Sequence, residues 1–211
     1  MSSKKYILFD NDGVLVETET WYYEASKRAL KEFFNVNIQF DDYMKIMTDG
    51  NGVWVAAPDA TQQEITIARN QRDIYYQEYL RNEDTAIENV HDVLGELSKK
   101  YNMGIVTTSR RVDFEILHKT KGITNFMNFV LCVEDYPRSK PYPDPYLKGL
   151  ELFNGQKEEA IVVEDSQRGL ISANRAEIDC VIVHNEFTKT QDFSKATHKI
   201  EALEELVTLL N

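Results

Sequence analysis

Acidic residues directly follow two of the short apolar runs in this sequence. The first run leads into Asp10 and Asp12, and a later run leads into Glu164 and Asp165. If the two runs are neighbouring strands, four carboxylates share one cleft, and at about 4 Å with an effective dielectric of about 20 each pair costs about 4 kcal/mol. A bound cation or proton uptake must relieve that repulsion, and because only oxygen donors are on offer the expected cation is Mg²⁺. An ordinary acidic turn is the alternative for the first pair, since Asp-Gly is common in loops.

Hydroxyl and ammonium groups that suit a phosphate oxygen lie in two other segments. Thr107 and Thr108 follow the second apolar run, where hydroxyls and free backbone N–H groups meet at a strand-to-helix junction. Ordinary helix capping is the alternative for these residues. Lys140 lies in a stretch that holds four of the five prolines. Because each proline fixes its own φ, this lysine is expected to be a fixed cationic donor for a phosphoryl group rather than a mobile surface side chain.

Five short apolar runs predict the elements that position these residues. The runs span 6–9, 103–106, 129–132, 160–163 and 180–183. Each is continuous rather than alternating, which is typical of strands buried on both faces of a parallel sheet. Helical patterns near 111–121, 144–153 and 167–175 separate the last four runs. This alternation predicts an α/β fold with a doubly wound, Rossmann-like parallel sheet.

The stretch between the first two runs is much longer than one crossover connection. It shows helical patterns at 19–34, 41–48 and 61–81. We therefore expect residues 17–84 to form a small helical domain inserted after the first strand. Residues 1–16 and 85–211 would form the Rossmann-like core.

Composition and charge exclude several classes of partner. The 211 residues include 24 Lys and Arg against 35 Asp and Glu, a formal net charge of −11. Because a field of that sign repels polyanions, we expect no nucleic acid or anionic membrane partner. No stretch approaches the ~18–20 apolar residues of a membrane span, and the N-terminus lacks a signal-peptide core, so a soluble cytoplasmic protein is expected. Cys132 and Cys180 have no further ligand at zinc spacing, which predicts two buried thiols.

Taken in chain order, these segments resemble the four motifs of the haloacid dehalogenase superfamily. The motifs are Asp10-Asn11-Asp12-Gly13-Val14, the apolar run into Thr107, Lys140-Pro141, and Glu164-Asp165-Ser166. Each motif alone is only modestly specific, but four in order at strand ends or in a stiff loop argue against coincidence. The resemblance covers essentially the whole chain. It is closest to the phosphatase and β-phosphoglucomutase-like branch, which has a helical cap inserted after the first strand.

The resemblance implies a role for each acidic motif residue. In that family the first aspartate is the nucleophile, so Asp10 would attack phosphorus and form an aspartyl-phosphate. Asp12 would be the general acid/base that protonates the leaving alcohol and then activates water. The family's Mg²⁺ would be held by Asp10, the main-chain carbonyl of Asp12, and Asp165. Glu164 would lie in or near that coordination shell.

The resemblance also implies the phosphate-binding groups. Thr107 and Lys140 match the family's phosphate-binding positions, and the hydroxyl of Thr108 is a further candidate. Lys140 would act in catalysis as well, by steadying the charge on Asp10. None of the four histidines falls in a motif, so all four are interpreted as structural or solvated.

Two positions distinguish between the reactions of the family. The dehalogenases and the phosphonate-cleaving branch lack an acid at the position of Asp12, which favours phosphoryl transfer from an oxygen ester. In the mutases a histidine lies ten residues after the second aspartate, whereas this chain has Tyr22. A phenol cannot take the imidazole's role, so this departure favours hydrolysis. Asn11, where relatives often carry an apolar residue, has no explanation from the sequence.

The leading interpretation is a Mg²⁺-dependent phosphatase that acts as a monomer on a small phosphorylated metabolite, such as a sugar phosphate. The alternatives are a β-phosphoglucomutase-like phosphosugar mutase and a catalytically idle interaction module. Cap closure would expel water and select the substrate. The candidate cap residues for that selection are Tyr22, Tyr23, Asn51 and Trp54, with packing in the cap interior as the alternative role of the aromatic ones.

Overall fold

Residues 4–48 and 52–211 are described by the structure, which is a computed structural model. Within those residues the strands are β1 (Tyr6–Phe9), β2 (Asn102–Val106), β3 (Phe129–Leu131), β4 (Ala160–Glu164), β5 (Asp179–Val183) and β6 (His198–Ile200). They form one sheet in the order β3-β2-β1-β4-β5-β6, and every neighbouring pair is parallel. The predicted parallel α/β sheet is therefore confirmed.

The helices of the same part of the chain alternate with these strands, except that several helices follow β1 and none lies between β5 and β6. They are α1 (Glu19–Phe34), α2 (Phe40–Thr48), α3 (Gln62–Asn82), α4 (Val90–Leu97), α5 (Arg111–His118), α6 (Asp144–Phe153), α7 (Gln167–Arg175) and α8 (Glu205–Leu210). Short 3₁₀ turns lie at Val53–Ala56, Ile123–Phe126, Val133–Asp135 and Lys157–Glu159. No helix among the residues seen in the structure is long and apolar enough to cross a bilayer.

The sheet order reverses direction at β1. From β1 the chain adds β2 and β3 on one side, then crosses over to add β4, β5 and β6 on the other side. In open parallel sheets, ligands bind outside the carboxyl ends of the strands at such a reversal point. The carboxyl ends of β1 and β4 therefore mark the expected ligand site.

The core of the sheet is apolar and fully buried. Leu8, Val106 and Val162, one from each of three adjacent strands, pack with Tyr146 of α6 and Leu170 of α7. Fully burying a side chain of this size contributes about 1.5–3 kcal/mol. Both cysteines are free and buried, as predicted.

The chain forms two compact units. One contains the residues up to Glu17 together with Ala86–Asn211, and the other contains Thr18–Thr85. The first unit holds the whole sheet. The sequence predicted the second unit as 17–84, and its role as a cap stays a proposal.

The Thr18–Thr85 unit is built on two long helices that pack against each other. Thr61 and Glu64 form a capping box at the start of α3, in which the Thr61 Oγ1 accepts from the Glu64 backbone N–H at 3.3 Å. The α3 residues Tyr75, Tyr76 and Leu80 are buried. These side chains of α3 therefore form part of the interior of this unit.

Candidate active site

The acidic residues after β1 and β4 meet at one edge of the sheet. The two strands are hydrogen-bonded neighbours in which Phe9 pairs with Val163, so the next residue of each strand lies at the same level. One carboxylate oxygen from each of Asp10, Glu164 and Asp165 lies within 4.8 Å of the others. Three carboxylates are therefore concentrated at the reversal point of the sheet.

Lys140 joins the ends of three adjacent strands. Its ammonium Nζ lies 2.9 Å from Asp10 Oδ1 and 2.7 Å from Glu164 Oε1, and it donates to the Val106 carbonyl at 2.9 Å. The side chain is only 2% exposed. Burial alone would lower the pKa of Lys140, but the two carboxylates raise it and the net shift is upward. The group is therefore a fixed ammonium at neutral pH.

Asp10 is a carboxylate in an unfavourable electrostatic position. Burial, reinforced by the nearby Glu164 carboxylate, raises the pKa of Asp10 to about 7, although Lys140 acts in the opposite direction. The side chain retains 13% exposure. Because desolvation and a like charge both disfavour the anion, this carboxylate gains from any cation placed beside it.

Glu164 is fully buried and its two oxygens have separate partners. Oε1 accepts from Lys140 at 2.7 Å and from the Tyr146 hydroxyl at 2.6 Å. Oε2 accepts from the Ser166 hydroxyl at 2.9 Å and from the backbone N–H groups of Asp165 and Ser166, each at 3.2 Å. Burial would raise the pKa of Glu164, but Lys140 and these donors lower it. The geometry thus makes Glu164 the buried counter-charge of Lys140, and a place in a metal shell stays a proposal.

A glycine in α7 leaves room for that glutamate. A Cβ added to Gly169 would lie 1.7 Å from Glu164 Oε1 and 1.8 Å from its Cδ. Glu164 cannot easily move, because five hydrogen bonds hold it. We therefore expect Gly169→Ala to lower the free energy of unfolding by about 3 kcal/mol in urea denaturation, the upper end of typical overpacking costs.

The matched control is Gly95→Ala, also within a helix. There the nearest atom to an added Cβ is Phe126 Cε1 at 4.0 Å. Because alanine is a better helix former than glycine, the free energy of unfolding of this variant should rise by about 0.5–1 kcal/mol. Equal effects of the two substitutions would show that the contact with Glu164 is unimportant.

Asp12 is held by two hydroxyl groups from the end of β2. Its Oδ2 accepts from Ser109 Oγ at 2.7 Å and from Thr107 Oγ1 at 3.2 Å. The backbone N–H of Ser109 in turn donates to Thr107 Oγ1 at 3.0 Å. Thr107 is buried, and the Tyr136 hydroxyl donates to its carbonyl at 2.6 Å. The structure thus brings together Asp12 and Thr107, while the neighbouring Thr108 contacts the guanidinium of Arg168 at 3.4 Å.

Asp165 lies against the turn that follows β1. Its Oδ2 accepts from Asn185 Nδ2 at 2.9 Å. Gly13 has φ of +80°, and a Cβ there would lie 2.1 Å from the same Oδ2. Only glycine combines this backbone conformation with so close an approach. Gly13 therefore allows the loop after Asp12 to pack closely against the Asp165 carboxylate.

The side chain of Asn11 contacts α5. Its side chain is completely buried, and its Oδ1 lies 2.7 Å from His118 Nε2 at the end of α5. Burial lowers the pKa of His118 to about 4, so the ring is neutral at pH 7 and can donate this bond. The Asn11 carbonyl also accepts from the backbone N–H groups of Leu15 and Val16 at 2.8 and 3.2 Å. Asn11 therefore ties the loop that carries Asp10 and Asp12 to α5, which explains a residue that the sequence left unexplained.

A family model places the chain among known proteins. The model described as haloacid dehalogenase-like hydrolase matches residues 7–183. The chain belongs to that family. The family resemblance predicted from the four motifs is therefore confirmed.

Relatives of this hydrolase include two proteins named pyrophosphatase PpaX. The one from Bacillus mycoides (strain KBAB4) is 27% identical over 180 residues, which are 84% of this chain and 82% of the relative. The one from Oceanobacillus iheyensis is 26% identical, over 99% of this chain and 97% of the relative.

Solved structures of the family share the fold of this hydrolase. CbbY from Rhodobacter sphaeroides, solved with phosphate, has a TM-score of 0.82 at 20% identity and covers 96% of both chains. A protein from Haemophilus somnus described as a predicted phosphoglycolate phosphatase has a TM-score of 0.85 at 21% identity and covers 100% of both chains. At these identities the likeness supports the fold.

Several side chains at the site of this hydrolase were not predicted from the sequence. Ser109, which donates to Asp12, directly follows Thr107 and Thr108 in the sequence, but nothing in the sequence assigns this partner to it. Asn185 follows β5 as the acids follow β1 and β4, so the same reasoning about strand ends could have found it. Tyr146 and His118 gave no signal, because each acts through a partner that is distant in sequence.

The predicted cap residues lie in the Thr18–Thr85 unit. Trp54 is buried and Tyr22 packs against the guanidinium of Arg72, 4.4 Å from the ring centroid. Both line a small cavity of about 180 Å³. Tyr23 is buried, and its hydroxyl donates to a main-chain carbonyl at 3.3 Å, so it packs inside the unit. Asn51 lies outside the described residues.

The donor set at the sheet edge fits Mg²⁺. The three carboxylates offer only oxygen, and Mg²⁺ takes oxygen ligands at about 2.0–2.1 Å, so opposite ligands of one ion lie about 4 Å apart. The observed limit of 4.8 Å is close to that spacing. Oδ2 of Asp12 accepts from hydroxyl groups, and the family resemblance proposes the main-chain carbonyl of Asp12 as a further ligand.

The raised pKa of Asp10 gives Mg²⁺ binding a predicted pH dependence. Its folded value of about 7 exceeds the usual 3.8, so this carboxyl stabilises the metal-free fold below pH 4 and loses that contribution as the pH rises through 7. Mg²⁺ competes with the proton. We expect added Mg²⁺ to raise the melting temperature more at pH 8 than at pH 5.5, measured against chelator. An increase that is the same at both pH values, or larger at pH 5.5, would contradict this ligand assignment.

Proposed function

We propose that this hydrolase is a Mg²⁺-dependent phosphatase that acts on a small phosphorylated metabolite. The observation that carries the proposal is Asp10, partly exposed and 2.9 Å from the fixed ammonium of Lys140. Asp12 follows two residues later and is held by the hydroxyl groups of Thr107 and Ser109. The relatives named pyrophosphatase and phosphoglycolate phosphatase support a phosphorylated substrate.

In the proposed reaction Asp10 is the nucleophile. Its carboxylate attacks phosphorus in line, the bond from phosphorus to the leaving oxygen breaks, and an aspartyl-phosphate forms. Lys140 binds a phosphoryl oxygen and steadies the charge on Asp10. Glu164 keeps the ammonium aligned, since it accepts a hydrogen bond from Lys140 at 2.7 Å. Thr107 supplies its hydroxyl for a second phosphoryl oxygen.

Asp12 would move the protons. It donates a proton to the leaving alkoxide and then takes one from the water that hydrolyses the aspartyl-phosphate, which restores Asp10 and releases phosphate. The hydrogen bonds from Thr107 and Ser109 hold its Oδ2 in place. The anchoring of Asn11 to His118 fixes the loop between the two aspartates, which keeps nucleophile and acid/base at a constant separation.

The metal would be held by Asp10, the main-chain carbonyl of Asp12, and Asp165, with Glu164 nearby. When bound, Mg²⁺ supplies positive charge that neutralises the carboxylates and the phosphoryl oxygens. We propose further that the enzyme works as a monomer in the cytoplasm. Its net charge of −11 disfavours nucleic acid and anionic membranes as partners.

The experiment is a phosphate-release assay over a panel of small phosphate esters and pyrophosphate, with Mg²⁺ and with a chelator. Turnover that requires Mg²⁺ supports the proposal. No release from any compound with Mg²⁺ present would overturn it and favour an interaction module. The mutase alternative predicts isomerisation with a bisphosphate primer and little free phosphate. It is disfavoured because Tyr22, at the position of the mutase histidine, packs edge-on against Tyr76 with ring centroids 5.2 Å apart.

A further inference from the structure

Arg168 is a cation in an unusual position. It is the second residue of α7 and is exposed. A positive charge in the first turn opposes the helix dipole, whose N-terminus favours anions. The first turn of α7 contains no acidic residue. A residue that breaks a local rule in this way is often kept for function.

The Arg168 side chain reaches across the carboxyl end of β1. Its Nη2 donates to Thr108 Oγ1 at 3.4 Å. Arg168 follows β4 and Thr108 follows β2, and β1 lies between those two strands in the sheet. Strands are spaced about 4.8 Å apart, so the contact spans about 10 Å over the end of β1. Asp10 stands at that end, and the guanidinium therefore lies at the mouth of the proposed site.

The other cations at this edge already have anionic partners. Lys140 lies between Asp10 and Glu164. Arg110 pairs with Asp113 at 2.7 Å, and Arg111 pairs with Asp135. Among the residues that the structure describes, Arg168 instead makes one long contact to a neutral hydroxyl. A charge-assisted bond to a carboxylate or phosphate oxygen is roughly twice as strong as a neutral one, so an arriving anion would displace Thr108.

We infer that Arg168 binds an anionic group on the leaving side of the substrate. This rests on the proposed function, in which phosphorus sits between Asp10 and the leaving oxygen along one line. Lys140 and Thr107 serve the phosphoryl oxygens near the sheet, whereas Arg168 lies beyond them at the mouth. The guanidinium fork matches a carboxylate or a second phosphate. The substrate class is thus a phosphate whose leaving group is itself an anion.

Two esters of the same size test this assignment. 2-Phosphoglycolate and ethyl phosphate both carry a two-carbon alcohol and differ in the carboxylate, and pyrophosphate serves as the second anionic probe. The wild type should prefer at least one of the anionic probes. Arg168→Ala should lower kcat/KM for that anionic probe 10- to 100-fold, chiefly by raising KM. The kcat/KM for ethyl phosphate should change less than about 3-fold. For Arg168→Lys we expect a kcat/KM between those of the wild type and Arg168→Ala, because lysine keeps the positive charge but lacks the two-pronged guanidinium.

Lys195→Ala is the charge-matched control. Lys195 is exposed and precedes β6, so it lies at the amino ends of the strands, at the opposite edge of the sheet from Asp10. It should leave both activities unchanged. An equal loss on charged and neutral probes, no loss on either, or a wild type without preference for an anionic probe would each overturn the inference.

A binding measurement separates this inference from the proposed function. If the wild type turns over nothing, the proposed function fails, yet Arg168 can still be tested in the Asp10→Asn background. Calorimetric titration with 2-phosphoglycolate and with pyrophosphate, each with Mg²⁺ present, should then show at least 10-fold weaker binding of at least one of them when Arg168→Ala is added. Unchanged affinity would overturn the role of Arg168 on its own. Melting temperatures establish that each variant is folded.

Discussion

The Asp10→Asn variant is expected to lose at least about 10⁴-fold in turnover, because an amide cannot act as the nucleophile. The same change should not destabilise the protein. Burial and Glu164 raise the pKa of Asp10 to about 7, so a neutral side chain of equal size removes an unfavourable charge at pH 8. We expect the melting temperature, measured without Mg²⁺, to be equal or higher. Inactivity combined with higher stability is the signature of a charge kept for chemistry.

The control for this variant is Asp92→Asn, an exposed aspartate on α4. It should leave turnover unchanged and lower the melting temperature only slightly, because Asp92 lies in the first turn of α4, where the helix dipole favours an anion. Phosphate release is measured with Mg²⁺ present, at enzyme concentrations high enough to detect residual activity. If Asp10→Asn retained wild-type turnover, the nucleophile would have to be another group. A strong drop in stability would instead show that the ion pair with Lys140 outweighs desolvation.

Lys140→Met should combine a large loss of activity with a large loss of stability. The substitution leaves Asp10 and Glu164 without the ammonium that lies within 2.9 Å of both. Removing one partner of a buried ion pair costs about 3–5 kcal/mol. Turnover should fall about 10³-fold, as when a preorganised charge is removed from a developing anion. Denaturant unfolding and phosphate release measure the two effects.

Two further measurements test the prediction for Lys140: the pH dependence of the stability loss, and a control substitution at an exposed lysine. Stability should fall less at pH 5.5 than at pH 8, because Asp10 is already protonated at the lower pH. Adding Glu164→Gln to Lys140→Met should restore part of the stability and none of the turnover. Lys99→Met removes an exposed pair with Glu96, whose atoms lie 2.6 Å apart, and should cost at most about 1 kcal/mol. Similar losses in both lysine variants would contradict the account.

The acids of the site could be predicted from sequence because their placement is local. Asp10 and Glu164 directly follow apolar runs, and the parallel sheet brings strand ends to one edge whatever the intervening chain does. The role of Glu164 could not be predicted in the same way. Whether a buried carboxylate faces a metal or an ammonium depends on which distant donors reach it, and Tyr146 and Lys140 are set by tertiary packing.

The difference between local sequence pattern and tertiary packing also explains which helices and strands were not predicted from the sequence. Long periodic segments such as α1 and α3 were predicted nearly to the residue, whereas β6 has three residues and lies at the edge of the sheet. So short a strand has little pattern of its own and forms because β5 offers a free edge. α4 and α8, with eight and six residues, likewise depend on packing rather than on periodicity.

The central position of β1 affects the order in which the chain can fold. β1 is synthesised before the other strands of the sheet, and both of its partners come much later, since Tyr6 pairs with Asn102 on one side and with Ala160 on the other. Such distant pairings slow folding and leave strand edges open to association in the meantime. The helices α1 and α3 can pack as soon as residues 18–85 have been synthesised, because both lie within the Thr18–Thr85 unit. A nascent chain that has not yet reached β4 therefore contains a folded helical unit and a strand β1 with at least one edge still unpaired.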